Sequence, residues 1–277
     1  MDRRMTAQTP IRGIDTHAHI FRPDLPMAAG RRYSPAYAAE LSNWFALQDG
    51  AGISHGVLIQ PSFLGTDNGF IEAALGAFPE RLRAIAVVDP AVAEAELDRL
   101  GALGFVGVRL NLVGRALEDY TAPPWRDFLR RLAARRWQVE IQRRFDDLAA
   151  FVPAIAASGV TVVIDHFGLP QGGIDPANPG HAAFLDVLRR TPAVWVKLSA
   201  PYRAGLTPDL AARSLDLLRE ACGGSHRFVW GSDWPHTQHE AETGYDAQMA
   251  RLQALIPDRA ERTRILTGNP AALFQFS

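Results

Sequence analysis

Lysine and cysteine are nearly absent from this chain. Among its 29 basic residues Lys197 is the single lysine, and Cys222 is the single cysteine. One thiol cannot close an internal disulfide, which excludes a disulfide framework. The first ten residues lack the apolar core of a signal peptide, and no stretch approaches the roughly 20 apolar residues that span a bilayer. These absences predict a soluble, cytoplasmic protein. A net charge of -1 supplies no basic field to hold nucleic acid or an anionic membrane. No Gly-x-Gly-x-x-Gly follows the first apolar run, so the usual signal of a dinucleotide site is missing. Neither an internal repeat nor a low-complexity linker marks a domain boundary.

What the chain does have is alternation. Apolar, β-branched runs recur at 11–16, 56–60, 82–88, 105–110, 137–142, 160–164, 194–198 and 227–230. Between them lie stretches such as 91–102, 125–136, 148–157, 182–190 and 208–221, whose apolar residues recur every three or four positions. Strands separated by helical crossovers imply a parallel sheet. Eight such units in 277 residues, 47% of them hydrophobic, predict an α/β fold of the (β/α)8 TIM-barrel type. The expected layout is a short tail over 1–10 and one barrel domain over 11–277. Two long segments, 21–35 and 169–180, follow histidine-bearing strands and are expected to rim the C-terminal mouth, where barrel enzymes place their chemistry. Gly268-Asn269-Pro270 reads as a cap opening a closing helix.

Ionisable and other polar residues inside apolar strands are costly unless paired or used. Here they gather at the predicted strand ends: His17 and His19, Arg109 and Asn111, Gln142, Asp165 and His166, Lys197 and Ser199, and Asp233. Alternate side chains of a strand share a face, so His17 and His19 should converge, with Asp15 beside them. A metal or oxyanion site is one reading of the pair; two histidines satisfied by backbone carbonyls is the other. Asp233 is either a functional carboxylate or a helix cap, and His166 is either functional or held by Asp165. Arg109 requires an anion, from substrate or from an internal ion pair. Lys197 is either a Schiff-base nucleophile or a paired buried cation. Cys222, at a helix end with no activator in view, reads as structural.

The segments Asp15–Phe21, Gly107–Asn111, Ile164–Gly168 and Gly231–His236, in this order, resemble the amidohydrolase superfamily, and within it the lactonases that act on pyrone dicarboxylates. The resemblance runs from residue 11 to the closing Asn269–Phe274. It implies that Gln60–Asn68 brings Ser62 to the ligand, that Arg31–Pro35 brings Tyr33, and that Arg109, Arg115 and Arg203 hold substrate carboxylates. Gln142 stands where relatives of this branch carry an aromatic residue, which leaves the lactone open: pyrone dicarboxylate, sugar-acid or muconolactone type. Many amidohydrolases hold zinc with the histidines of the first strand, further histidines and the aspartate after the last strand. No histidine ends the fifth or seventh run here, so no cofactor is expected. Zn2+ on His17, His19, His166 and Asp233 is the alternative.

The expected chemistry is lactone hydrolysis. Asp233 would take a proton from the attacking water, with its pKa set by the nearby imidazoles, and His17, His19 and His166 would donate hydrogen bonds to the developing oxyanion. The partner is a small carboxylated lactone; a homo-oligomer is compatible with the sequence. The competing readings are a zinc-dependent lactonase or aromatic-acid decarboxylase, a Schiff-base aldolase using Lys197, and a non-catalytic barrel that binds carboxylates.

Overall fold

The computed structural model describes residues 9–277; residues 1–8 of the expected tail lie outside that range. Eight parallel strands pair in chain order: β1 (Ile14–Ala18), β2 (His55–Ile59), β3 (Leu82–Ala86), β4 (Phe105–Asn111), β5 (Gln138–Gln142), β6 (Thr161–Ile164), β7 (Val194–Ser199) and β8 (Phe228–Gly231). Helices alternate with them, among them Leu41–Gly50, Gly69–Ala77, Glu94–Leu103, Pro123–Ala134, Pro179–Arg190, Pro208–Cys222 and Tyr245–Leu255. This is the (β/α)8 barrel that the alternation implied. Among the described residues no helix is long and apolar enough to cross a membrane.

Local sequence explains several element ends. Thr207 and Asn178 cap the helices Pro208–Cys222 and Pro179–Arg190 by accepting backbone N–H bonds, each with proline in the first turn. Gly223 closes the former in a left-handed conformation, with φ of 68°. The single helix expected over 148–157 is two short ones, Phe145–Leu148 and Val152–Ala156, since Pro153 cannot donate to a continuing helical ladder. Asn269 is not the cap of the last helix, Gly268–Leu273; its side-chain amide instead donates to the carbonyls of Ser225 and Phe228 beneath β8.

The core has two parts. The larger lies between strands and helices and includes Trp44, Phe105, Phe128, Phe184 and Leu215. The smaller fills the lower barrel, where Ile14, Val57, Ile59, Ile85 and Val229 meet Phe274 and Phe276 from the chain's end. Above Phe274 the interior turns polar: Lys197, Glu140, Asp165 and His17 are all fully buried.

The seam between the last strand and the first is sealed largely outside the regular ladder. Asp233 N donates to His17 O at 2.8 Å and His19 N to Trp234 O at 2.8 Å. Thr16 Oγ1 donates to Trp230 O at 2.8 Å. The Asp15 carboxylate accepts from Ser232 N at 2.8 Å, Ser232 Oγ at 2.6 Å and Trp44 Nε1 at 3.0 Å. Asp15 therefore does not join His17 and His19, contrary to the alternation rule. A register irregularity between Asp15 and Ala18 breaks the two-residue period, and the carboxylate turns to the helix layer that carries Trp44.

Gly231 makes this seam tight. A Cβ there would stand 2.5 Å from His17 Cβ and 2.8 Å from its backbone nitrogen. Gly231→Ala is expected to lower stability by about 1–3 kcal/mol through overpacking. Gly76→Ala, facing open space in the helix Gly69–Ala77, should leave stability unchanged or raise it by about 0.5–1 kcal/mol. Denaturant unfolding of the two variants checks the contrast.

Candidate active site

Three imidazoles and one carboxylate meet at the C-terminal mouth. His17 lies within β1 and His19 two residues on; His166 opens the turn after β6, and Asp233 follows β8. His166 and Asp233 both take left-handed backbone angles, with φ of 55° and 61°, a region aspartate and histidine enter more readily than most residues. The turns aim both side chains inward. Asp233 Oδ1 lies 3.7 Å from His17 Nε2, 4.0 Å from His19 Nε2 and 3.9 Å from His166 Nε2. It is buried and has no hydrogen-bond partner.

Asp233 Oδ2 is fully engaged. Arg203 Nε donates to it at 2.7 Å, and the Tyr202 hydroxyl makes a very short hydrogen bond to the same atom. Burial alone would raise the carboxyl's pKa, yet Arg203 first, then His166, His17 and His19, hold it well below the carboxylate range. The expectation that imidazoles set its acidity is thus amended: the guanidinium leads. Burial pushes the Tyr202 hydroxyl up, so it stays a donor.

The imidazoles are neutral at physiological pH. Burial lowers His19 to about 3, assisted by Arg109 and opposed by Asp233. Burial likewise lowers His166 to about 4 against the pull of Asp233 and Asp165. His17 is pushed well down by burial and then by Lys197, with Asp165 opposing. A neutral ring donates from one nitrogen only. His19 Nδ1 lies 2.7 Å from the Ile59 carbonyl, which can only accept. Its hydrogen is therefore on Nδ1, and a lone pair on Nε2 faces the site. His19 cannot be the oxyanion donor expected of it.

Beneath this layer, Lys197 Nζ bonds Glu140 Oε2 at 2.7 Å, and burial raises Glu140 to about 7. Asp165 is held well below the carboxylate range despite its burial, chiefly by Lys197, then by His17 and Arg109. Arg109 donates from Nε to Asp165 Oδ2 at 3.2 Å and from Nη2 to Gln142 Oε1 at 2.7 Å. The internal ion pair of Arg109 is real, and the residue also lines the cavity above.

That cavity measures about 390 Å³. His19, Tyr33, Ser62, Arg109, Gln142, His166, Arg203 and Asp233 all line it, while His17 lies deeper. Residues of both long loops contribute, Arg32 and Tyr33 from the first and Leu169 and Gln171 from the second. Arg115 is a correction. It is exposed and stands outside the lining, because the loop after β4 turns away at Gly114, with φ of 72°. Arg32 and Arg144 line the mouth instead. Tyr202, Arg32, Arg144 and Glu140 were not singled out from the sequence. Tyr202 sits beside Arg203 in one short loop, and Glu140 is an acid inside an apolar strand, so each left a faint signal. Lys197 is no nucleophile facing substrate: it is fully buried, paired, and outside the cavity lining.

Two sets of residues among those described could share a cation: His17, His166 and Asp233, and His17, Glu140 and Asp165. Beside the first set, His19 turns a lone pair on Nε2 toward Asp233 Oδ1, which has no hydrogen-bond partner, and the two suit a divalent ion. The backing of His19 Nδ1 by a carbonyl is the arrangement such ligands need.

Comparison with known proteins agrees with this geometry. Residues 14–276 match the amidohydrolase family. The chain is 38% identical to a probable 2-pyrone-4,6-dicarboxylic acid hydrolase from Acinetobacter baumannii, whose structure holds citric acid; the match covers 96% of this chain and 100% of that one, with a TM-score of 0.91. It is 29% identical to the 2-pyrone-4,6-dicarboxylate hydrolase of Comamonas testosteroni over 96% of this chain and 90% of that protein. With the 4-sulfomuconolactone hydrolase of Rhizobium radiobacter it shares 30% identity, over 94% of this chain and 89% of the other. A match running through every strand of the barrel, with the β1 histidine pair and the aspartate after β8 at one mouth, places the chain in the amidohydrolase family.

Proposed function

We propose that the protein hydrolyses a small lactone bearing carboxylate groups. The carrying observation is Asp233 Oδ1, a buried carboxylate oxygen without a hydrogen-bond partner, facing neutral imidazoles at the base of a cavity lined by Arg32, Arg109, Arg144 and Arg203. Pyrone dicarboxylate and sulfomuconolactone, the compounds named for two relatives, are anionic lactones, and citric acid occupies a third.

In this reading the guanidinium groups hold the substrate's carboxylates, bringing its ring carbonyl over the imidazoles. Asp233 Oδ1 takes a proton from water as the water oxygen bonds to the carbonyl carbon. The carbonyl oxygen becomes an oxyanion, stabilised by N–H groups of His17 and His166. His19, with its Nε2 lone pair inward, accepts a hydrogen bond and orients the water. When the tetrahedral centre collapses, the ring C–O bond breaks and Asp233 returns the proton to the leaving oxygen. Free Asp233 is a weak base because Arg203 grips Oδ2. A substrate carboxylate that draws Arg203 toward itself loosens that grip and raises Asp233's basicity at the moment of use. The site needs no cofactor in this scheme.

The inward lone pair of His19 favours one second reading, a zinc-dependent lactonase or decarboxylase. His17, His19, His166 and Asp233 would hold the ion, which would polarise the carbonyl when bound.

Asp233→Asn is expected to cut kcat by about 10²–10⁴-fold in a steady-state assay on carboxylated lactones, the usual range for a lost general base. Unchanged turnover would remove Asp233 from the role. Arg32→Met, at the exposed mouth, should raise KM about tenfold, about 1.4 kcal/mol, with little change in kcat. Protein dialysed against a strong chelator is expected to keep its activity; loss that zinc alone restores would assign the second reading.

A further inference from the structure

Lys197 is the chain's one lysine and is fully buried on β7, yet the reaction above gives it nothing to do. Its Nζ donates to Glu140 Oε2 at 2.7 Å and contacts His17 Nδ1 at 3.1 Å with hydrogen-bond geometry. Asp165 Oδ1 is 3.2 Å from Nζ as an ion pair, and 3.4 Å from the same His17 Nδ1. His17 Nδ1 thus lies nearer to Nζ than to that oxygen, and only the contact with Nζ has the geometry of a hydrogen bond. The Phe274 ring lies below, with its centroid 6.0 Å from Nζ.

An ammonium has three N–H bonds and no lone pair, so it can only donate. A ring nitrogen that receives its hydrogen must itself be bare. In a neutral imidazole the hydrogen then sits on the other nitrogen, Nε2, which faces the cavity side. A separate observation agrees. His17 Nε2 is 3.3 Å from His19 Nε2, and the Ile59 carbonyl has already made the latter an acceptor. Two facing nitrogens at that distance need one hydrogen between them, and only His17 can bring it.

We propose that Lys197 is a positioning residue: by donating to His17 Nδ1 it holds His17 in the Nε2–H form, so that His17 offers the lactone carbonyl a hydrogen-bond donor and not a lone pair. What Lys197 controls is where the ring hydrogen sits. The free enzyme rests that hydrogen on His19, and a bound carbonyl oxygen takes it over. The same arrangement makes His17 a poor metal ligand, since a ligating nitrogen must be bare and its partner nitrogen usually donates to an acceptor. Lys197 supplies the reverse. The catalytic consequence rests on the lactonase reading; the position of the hydrogen does not.

Long-range proton–nitrogen NMR of protein labelled with 15N-histidine, at neutral pH and without substrate, reads the tautomer of each ring. His17, assigned with a His17→Gln variant, is expected as the Nε2–H form and His19 as the Nδ1–H form. An Nδ1–H signal for His17 overturns the proposal, whatever the substrate proves to be. Lys197→Met should shift His17 to Nδ1–H, donating to Asp165, and lower kcat by about 10²–10³-fold, the loss typical of one oxyanion donor, with KM little changed. A folded Lys197→Met protein that keeps both kcat and the Nε2–H form also overturns it. Should that variant fail to fold, the wild-type spectrum alone decides. Absence of turnover on any lactone, with the expected spectrum intact, would sink the substrate assignment and spare the role of Lys197.

Discussion

The attachment of β8 to β1 is the constraint on which the rest of this molecule depends. Asp15 reaches across to Ser232 through two hydrogen bonds, and Asp233 N then finds the His17 carbonyl. Residues more than 200 positions apart in the chain are thereby set side by side. Fixing the backbone at 232–233 fixes where the Asp233 carboxylate points, and the same hydrogen bonds settle the height of His17 and His19. The tight approach at Gly231 leaves no room for this seam to relax. Geometry at the mouth is therefore inherited from barrel closure, on strand ends and the short turns anchored to them, where precision is easier to hold than on long loops.

Around that seam the protein assembles charges in an order that burial alone would forbid. Asp165 and Asp233 lie in a water-poor interior and remain ionised because each has a cation against it, Lys197 and Arg109 for one and Arg203 for the other. The histidines between them stay neutral, since burial and those same cations disfavour another positive charge. Neutral imidazoles differ from one another only in which nitrogen carries the hydrogen. A backbone carbonyl decides this for His19, and Lys197 decides it for His17. One ring becomes an acceptor and its neighbour a donor, a division of labour that residue type does not reveal.

Much of the architecture was legible in advance. Alternating apolar runs and amphipathic stretches carry the barrel, since parallel strands buried on both faces must be apolar and crossovers must be helical. Polar residues at strand ends carried most of the site: His17, His19, Arg109, His166 and Asp233 do converge. Arg115 did not, because a left-handed turn at Gly114 carries it out to solvent. Arg32 and Arg144 lay hidden among many exposed arginines, in a chain where nearly every basic residue is one. Asp15 misled through a two-residue periodicity that a bulge interrupts.

By itself, the order of residues determined the fold class, the strands that bear chemistry and the family to which the chain belongs, because these follow from hydrophobic period and from local motifs. Only the tertiary structure decided which oxygen of Asp233 is free, that Arg203 grips the other, and on which side His17 and His19 carry their hydrogens. The reason is physical. Periodicity is a property of neighbours along the chain, whereas a hydrogen-bond direction or an electrostatic shift belongs to atoms that meet only after folding, across distances no sequence motif spans.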